Sequence, residues 1–223
     1  MKRLLFSIVI LFVFKLNLFS QGTVIGLGAG INNYNGYQFD FEMGYSINKY
    51  IQPFLTVRIQ NMEHFGGGYY SDSKAIKQWK VDDTEFFNIL FIPSLNFSIP
   101  FIRKNDGYWS FNVQPGIMIQ PFSQDYIDVK YETFNSPSIT TTQTKRITGD
   151  FKIARFYWNN KLAIQYKSDD IAIFGGFELS NQDVYSKRRS VKIDGVSIES
   201  HLPARKNLCN SIFVGIRFNL QPC

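Results

Sequence analysis

One short stretch decides the fold of this chain: Tyr37-Gln38-Phe39-Asp40-Phe41-Glu42-Met43-Gly44-Tyr45. Aromatic or apolar side chains alternate here with polar, charged or small ones without a break. Successive side chains of an extended strand point to opposite sides, so this order separates an apolar face from a charged face. The stretch therefore predicts a β-strand that contacts two very different environments.

The same period of two recurs along the rest of the chain. It predicts eight strands, at about residues 23–32, 37–47, 51–62, 85–99, 108–121, 151–167, 171–181 and 208–220. The fourth of these differs from the others because residues 86–92 are apolar on both faces. The predicted fold class is all-β.

The connections between these strands alternate in length. Residues 48–50, 100–107 and 168–170 are short turns, whereas 63–84, 122–150 and 182–207 are each longer than twenty residues and are predicted to be loops. The first connection, residues 33–36, is a tight Asn-Gly hairpin. Short turns on one rim and long loops on the other are typical of a transmembrane, antiparallel, up-and-down β-barrel, here of about eight strands.

The N-terminus differs in composition from the remainder. Lys2 and Arg3 precede an apolar run over residues 4–14, and the small residues Ser20 and Gly22 follow. This layout predicts a secretory signal peptide at residues 1–20, followed by one barrel domain at 21–223. Removing Lys2, Arg3 and Lys15 would lower the formal net charge from +6 to +3, so the sequence does not favour a nucleic-acid partner.

A soluble lipocalin-like barrel that binds a ligand is the alternative interpretation. Its strands also alternate apolar and polar side chains, but their apolar face points inward. Large aromatic residues near predicted strand ends favour a membrane instead, because amphipathic rings settle at the headgroup level. These residues are Tyr37, Tyr45, Trp109, Trp158 and Tyr166. We therefore expect the protein in the outer membrane, in contact with its lipid and lipopolysaccharide.

The last predicted strand resembles the C-terminal assembly signal of outer-membrane barrels, with Gly215, Phe218 and Leu220 at the matching positions. It departs from that signal at Phe213, where a polar residue is usual, and three residues follow Leu220. Together with the predicted signal peptide and the alternation of short turns and long loops, this strand makes the chain resemble the small outer-membrane barrel family called PorT-like, of the eight-stranded OmpX and OmpA type. The resemblance implies the barrel-assembly machinery as a partner, and it implies architecture more than activity.

Charged residues on the polar faces are expected to share the lumen, where opposite charges pair. The predicted lumen charge network consists of Asp40, Glu42, Arg58, Arg155, Lys161, Glu178 and Arg217. An eight-stranded barrel is just wide enough to be filled by side chains, which favours a plugged lumen over the alternative of a selective pore.

The sequence offers little catalytic chemistry. No Cys/His cluster has metal-ligand spacing and no phosphate-binding loop is present, so no metal or cofactor is predicted. Glu199, Ser200 and His201 contain the residue types of a lipid-hydrolysing triad but are adjacent in one loop, and a barrel enzyme remains the weaker alternative. Cys209 and Cys223 are too far apart along one strand to form a disulfide.

The loop at 182–207 carries a basic cluster that could hold an anionic partner such as lipopolysaccharide phosphate, or could simply be solvated: Lys187, Arg188, Arg189 and Lys192. The expected function is a non-enzymatic structural, adhesive or secretion and assembly component, with a protein partner at the long loops.

Overall fold

A computed structural model of the chain describes residues 22–48, 50–61, 68–72, 75–81, 88–120, 126–136, 139–148, 156–189, 192–193, 196–197 and 199–220. The predicted signal peptide, residues 1–20, lies outside these residues, as do Arg155 and Cys223. Within the described part, no helix is long and apolar enough to span a membrane.

The described residues are almost entirely β-structure. The strands are β1 (Thr23–Asn32), β2 (Tyr37–Tyr45), β3 (Ile51–Gln60), β4 (Gly68–Asp72), β5 (Ala75–Val81), β6 (Asn88–Lys104), β7 (Gly107–Ile119), β8 (Tyr126–Ser136), β9 (Ile139–Thr148), β10 (Phe156–Ser168), β11 (Ile171–Ser180), β12 (Lys192–Ile193), β13 (Val196–Ser197) and β14 (Cys209–Leu220). A short helix, α1 (Ser186–Arg189), and a 3₁₀ turn (Glu199–His201) complete the list.

Eight of these strands form a closed barrel, in the order β1-β14-β11-β10-β7-β6-β3-β2. Every neighbouring pair is antiparallel, and consecutive barrel strands along the chain are neighbours in the wall. The ring closes between β1 and β14, which pair from Thr23 with Leu220 to Asn32 with Ser211. The predicted all-β, eight-stranded, up-and-down barrel is confirmed.

The two rims differ as the connection lengths predict. The short-turn rim carries residues 46–48, 50, 105–106 and 169–170, together with the first residue of β1, Thr23, and the last residue of β14, Leu220. The loop rim carries the hairpin at 33–36 and the three long connections. In that hairpin Asn35 has a positive φ of 57°, which Asn tolerates better than most residues, and Asn32 N donates to Gly36 O at 2.9 Å.

The predicted turn at 100–107 is too long. β6 continues to Lys104 and β7 begins at Gly107, so the turn contains only residues 105 and 106. Pro100 has no backbone N–H to donate to the ladder, and proline is uncommon inside a paired strand. The register shifts between Pro100 and Ile102, and this irregularity lets the ladder continue past the proline.

The prediction of structureless loops at 63–84 and 122–150 is wrong. These connections contain β4, β5, β8 and β9, which form a four-stranded sheet in the order β4-β5-β8-β9, here called the outer sheet. Along the chain they adjoin β3, β6, β7 and β10, and they keep the wall order of those strands. Aromatic and β-branched residues such as Tyr70, Trp79 and the threonines of β9 favour extended structure even without strict alternation.

The barrel is polar inside and apolar outside. The outward side chains of β2, β11 and β14 include Phe39, Ile173 and Val214, which are 60–63% exposed. The inward side chains include Glu42, Arg58 and Glu178, which are at most 1% exposed. A soluble globular protein has the opposite arrangement, because charged residues are rarely fully buried without partners.

Candidate functional site

The site occupies the lumen, where the inward faces of the strands converge. Strand alternation places Asp40 and Glu42 on β2, Arg58 on β3, Lys161 on β10, Glu178 on β11 and Arg217 on β14. The structure brings together these six of the seven residues predicted for the lumen network, and Arg155 lies outside the described residues. We call these six residues the cross-lumen network.

Arg58 forms the first bridge across the barrel. Its guanidinium donates from Nε and Nη2 to both carboxylate oxygens of Asp40, at 2.7 and 2.8 Å. From Nη1 and Nη2 it also donates to both oxygens of Glu178, at 2.5 and 2.6 Å. β3 and β11 lie four strands apart either way around the ring, so Arg58 connects opposite walls.

Lys161 forms the second bridge. Its Nζ donates to Asp40 Oδ2 at 2.7 Å and to Glu42 Oε1 at 3.0 Å. β10 and β2 are also opposite each other in the ring. Two bridges therefore cross the lumen and share the Asp40 carboxylate.

Arg217 extends the network toward the short-turn rim. It donates from Nε to Glu42 Oε2 at 2.8 Å, from Nη2 to Gln114 Oε1 at 2.9 Å, and from Nη1 to Gln165 Oε1 at 3.3 Å. The three carboxylates and three basic groups of the network sum to zero charge. Every member is buried, so each charge depends on its partners to replace water.

Two aromatic rings hold the Arg217 guanidinium between them. Its Cζ lies 4.4 Å from the ring centre of Phe54 and 4.3 Å from that of Phe174, within cation–π range. A Cβ on Gly215 would lie 2.4 Å from the Phe174 ring, and one on Gly44 would lie 2.4 Å from the Phe54 ring. The two glycines thus provide the space in which the rings stack on Arg217.

An apolar cluster lies inside the barrel on the strand halves nearer the loop rim. It consists of Leu90, Ile92, Met118 and Tyr157, each at most 4% exposed. This cluster explains why residues 86–92 read as apolar on both faces: Leu90 and Ile92 pack inward, while Ile89 and Phe91 point outward. The lumen therefore contains an apolar layer in addition to the charged one.

The described residues of the last long connection contact the hairpin at 33–36 on the loop rim. Val184, Tyr185 and Leu202 are buried, and the Tyr185 ring packs edge-on against Tyr34 at 5.6 Å between centres. Lys206 N donates to Tyr34 Oη at 3.0 Å. Burial raises the pKa of the Tyr34 hydroxyl, which stays protonated in this contact.

The predicted anion-binding cluster is only partly gathered in this connection. Arg189 donates from Nε to Asp183 Oδ2 at 2.7 Å and from Nη2 to Pro203 O at 2.8 Å, so it is engaged within the chain. Lys187 and Arg188 lie on α1, and Lys192 is exposed on β12. Glu199, Ser200 and His201, the weak catalytic alternative, share one 3₁₀ turn.

The residues of the assembly signal lie along β14. Phe218 and Leu220 point outward and are exposed, whereas Gly215 faces the Phe174 ring in the lumen. Phe213, the departure from the signal, is buried against Phe174 and lies under Lys161 Nζ. Across the part of the chain that the structure describes, no three His, Cys, Asp or Glu residues are grouped as a metal site. Cys209 is a buried free thiol.

Sequence reasoning missed the neutral members of the site. Gln38, Gln114 and Gln165 hydrogen-bond to Glu178 or Arg217, and Phe54 and Phe174 stack on Arg217. The glutamines stand on the polar faces of their strands, and this position was the available signal. The sequence contains no signal that places Phe54 and Phe174 in the lumen, because apolar residues were expected to face lipid.

No protein-family model and no curated protein matches the sequence. Among solved structures, the N-terminal β-barrel domain of Pseudomonas aeruginosa OprF aligns at 9% identity over 90% of this chain and 98% of that one, with a TM-score of 0.41. Neisserial surface protein A aligns at 8% identity over 89% and 95%, with a TM-score of 0.37. The Ail attachment invasion locus protein of Yersinia pestis aligns at 9% over 89% and 97%, with a TM-score of 0.36. The PorT-like resemblance is not confirmed, and the chain is characterised by its own strand pairing as an eight-stranded barrel with a charged, bridged interior.

Proposed function

We propose that this protein is a non-enzymatic outer-membrane β-barrel, with a plugged lumen and a loop rim presented outside the cell. The observation that carries the proposal is the reversal of polarity, with an apolar outer face and buried charges within. Strands of nine residues or more suffice to cross the hydrocarbon core, which needs about 9–11 tilted residues. A lipocalin-like binding barrel would need an apolar lumen, whereas the described residues of this lumen include the six buried charged groups of the cross-lumen network.

The cross-lumen network supports the proposed plug. Conduction through an eight-stranded barrel needs a lumen free of side chains, and the Arg58 and Lys161 bridges connect opposite walls. Planar bilayer recordings of the purified, refolded protein should show no stable conductance. A steady ion-selective current from homogeneous protein would refute the plug while leaving the membrane location intact.

Location and orientation are tested by labelling of single cysteines. In a Cys209→Ser, Cys223→Ser background, Thr144→Cys places a thiol on the outer sheet, and Lys104→Cys places one at the short-turn rim. A membrane-impermeant maleimide added to whole cells should label position 144 and leave position 104 unlabelled until the outer membrane is opened. The reverse pattern would invert the topology, and recovery of the protein without detergent would refute membrane insertion.

The proposed biological role is structural, adhesive or in secretion and assembly, carried by the loop rim. The barrel wall satisfies its own backbone hydrogen bonds, so its stability does not require partners there. Anionic groups such as lipopolysaccharide phosphates would meet the exposed Lys192 and the neighbouring α1.

A further inference from the structure

The hairpin formed by β6 and β7 extends beyond its neighbour β3 at the short-turn rim. Just past the β3–β6 ladder, Ser98 N donates to Tyr50 O at 2.8 Å. β6 nevertheless continues to Lys104, so residues 99–104 have no ladder partner on the β3 side within the described chain. At about 3.3 Å per residue, this extension is about 20 Å long.

A notch of about 510 Å³ lies beside the extension, and we call it the rim notch. Binding sites for small molecules commonly have volumes of about 300–1,000 Å³. The apolar part of the lining includes Phe97, Ile99 and Pro100, and the polar part includes Tyr50 and Arg103. An apolar wall beside a cation suits an amphiphile, because its chain and its charged headgroup require different surroundings.

The position of the rim notch in the wall matches that requirement. Trp109 and Tyr166 contact each other at 5.1 Å between ring centres, and amphipathic rings settle at the headgroup level of a membrane. Arg103 pairs in register with Tyr108, the residue next to Trp109. Ile99 lies four residues earlier on β6, toward the middle of the barrel wall. The cation therefore lies at the headgroup level and the apolar wall lies on the hydrocarbon side.

Charge indicates the headgroup. Arg103 is exposed and forms no hydrogen bond or ion pair with any residue that the structure describes. Residues 99–111 contain two basic residues, Arg103 and Lys104, and one acidic residue, Asp106. Asp106 hydrogen-bonds to Tyr166 on β10, on the side of the hairpin away from the rim notch. The Arg103 guanidinium can therefore bind an anion, and its planar fork fits phosphate.

The edge of β6 at the rim notch is unsuited to a protein strand. Pro100 follows Ser98 on this edge and has no backbone N–H to donate. The register also shifts between Pro100 and Ile102. Prolines and bulges are features that prevent a further strand from pairing with an edge. An acyl chain needs no backbone hydrogen bonds and can lie against this wall.

We propose that the rim notch binds an anionic phospholipid of the periplasmic leaflet. Arg103 binds the lipid phosphate, and one acyl chain lies against Phe97 and Ile99. This inference rests on the proposed membrane insertion and on the proposed orientation of the short-turn rim, and it names a lipid class for one place on the wall.

The test uses the full mature chain refolded in phosphatidylcholine nanodiscs. A trace of phosphatidylglycerol or phosphatidylcholine, spin-labelled in one acyl chain, broadens the NMR signals of nearby amides. The ratio of the broadening caused by the two lipids at the Ile99 amide measures the headgroup preference, and Ile173 on β11 reports lipid contact elsewhere on the wall. Arg103→Gln is compared with Lys104→Gln, which removes the same charge from the same hairpin at a residue that does not line the rim notch.

We expect phosphatidylglycerol to be preferred at least about fivefold at Ile99, because a guanidinium–phosphate hydrogen bond is charge-assisted, and about equally with phosphatidylcholine at Ile173. Arg103→Gln should abolish the preference, and Lys104→Gln should change it by less than about twofold.

Equal broadening by the two lipids at Ile99 would overturn the proposal, because the lipid there would be ordinary annular lipid. Equal losses in Arg103→Gln and Lys104→Gln would also overturn it, because the preference would then come from the overall charge of the rim. A preference that appears only with two chains per disc would assign the rim notch to a second copy. Failure to refold in lipid would instead count against the membrane barrel, and an inverted topology would appear in the cysteine labelling while leaving binding in nanodiscs unchanged.

Discussion

Arg58→Met tests whether the cross-lumen network stabilises the barrel. Arg58 makes four hydrogen bonds of 2.5–2.8 Å to two buried carboxylates. In the variant, Asp40 keeps Lys161 at 2.7 Å, while Glu178 keeps a Gln38 contact at 3.3 Å. The network charge changes from zero to −1. Removing one partner from a buried ion pair costs about 3–5 kcal/mol of unfolding free energy, because an uncompensated charge stays behind.

A second variant separates charge from packing. Adding Glu178→Gln to Arg58→Met restores a neutral network, so we expect it to regain about 1–3 kcal/mol, the cost of the stranded carboxylate. Arg146→Met serves as the control, because it also breaks a bidentate pair with a carboxylate, but on the exposed outer sheet. We expect no measurable change in its unfolding midpoint.

The assay is urea unfolding in lipid bilayers, followed by tryptophan fluorescence and by gel mobility of unheated samples. Similar m-values across the series would show that the variants unfold from comparable folded states. The reasoning is refuted if Arg58→Met unfolds at the same urea concentration as the parent. It is also refuted if Glu178→Gln makes the Arg58→Met protein less stable still.

Three further predictions test the outer face, the glycine contacts and the outer sheet. Phe41→Arg, near the membrane midplane, should lower the free energy of unfolding by about 2–4 kcal/mol. Tyr37→Arg, at the loop-rim end of the same strand, should lower it by about 0–1 kcal/mol. Equal losses for the two variants in bilayer unfolding would contradict a membrane around β2. Gly215→Ala should lower the free energy of unfolding by about 1–3 kcal/mol, because the new Cβ meets the Phe174 ring at 2.4 Å and the backbone oxygen of Leu27 at 2.6 Å. Gly28→Ala is its control, because the new Cβ there meets nothing closer than 3.5 Å. Identical unfolding midpoints for the two variants would contradict the close packing at Gly215. The Arg146 hydrogen bond lowers the pKa of the Asp128 carboxyl below its ordinary 3.8, so the contact should persist above that pH and be lost as pH falls below it. NMR titration should show the Asp128 pKa returning toward 3.8 in Arg146→Met, and an unchanged pKa would contradict the pair.

The sequence by itself determined the barrel. Period-two alternation assigns each residue to one face of its strand, and closely spaced turns such as residues 169–170 require antiparallel neighbours. It therefore also assigned Asp40, Arg58 and Glu178 to the polar interior. Strand ends were less certain, as β6 shows by continuing through Pro100, because a register shift is a property of the paired ladder.

Only the tertiary structure decided which residues meet across the lumen. The Arg58–Glu178 contact joins residues 120 positions apart on opposite walls, and it depends on strand order, tilt and register together. The inward Phe54 and Phe174 likewise fit only because Gly44 and Gly215 leave room on neighbouring strands. The outer sheet also depends on tertiary structure, because its central pair joins β5, from the connection at 63–84, to β8, from the connection at 122–150. Alternation is a local property that one strand reveals, whereas contacts between distant strands exist only after the ring has closed.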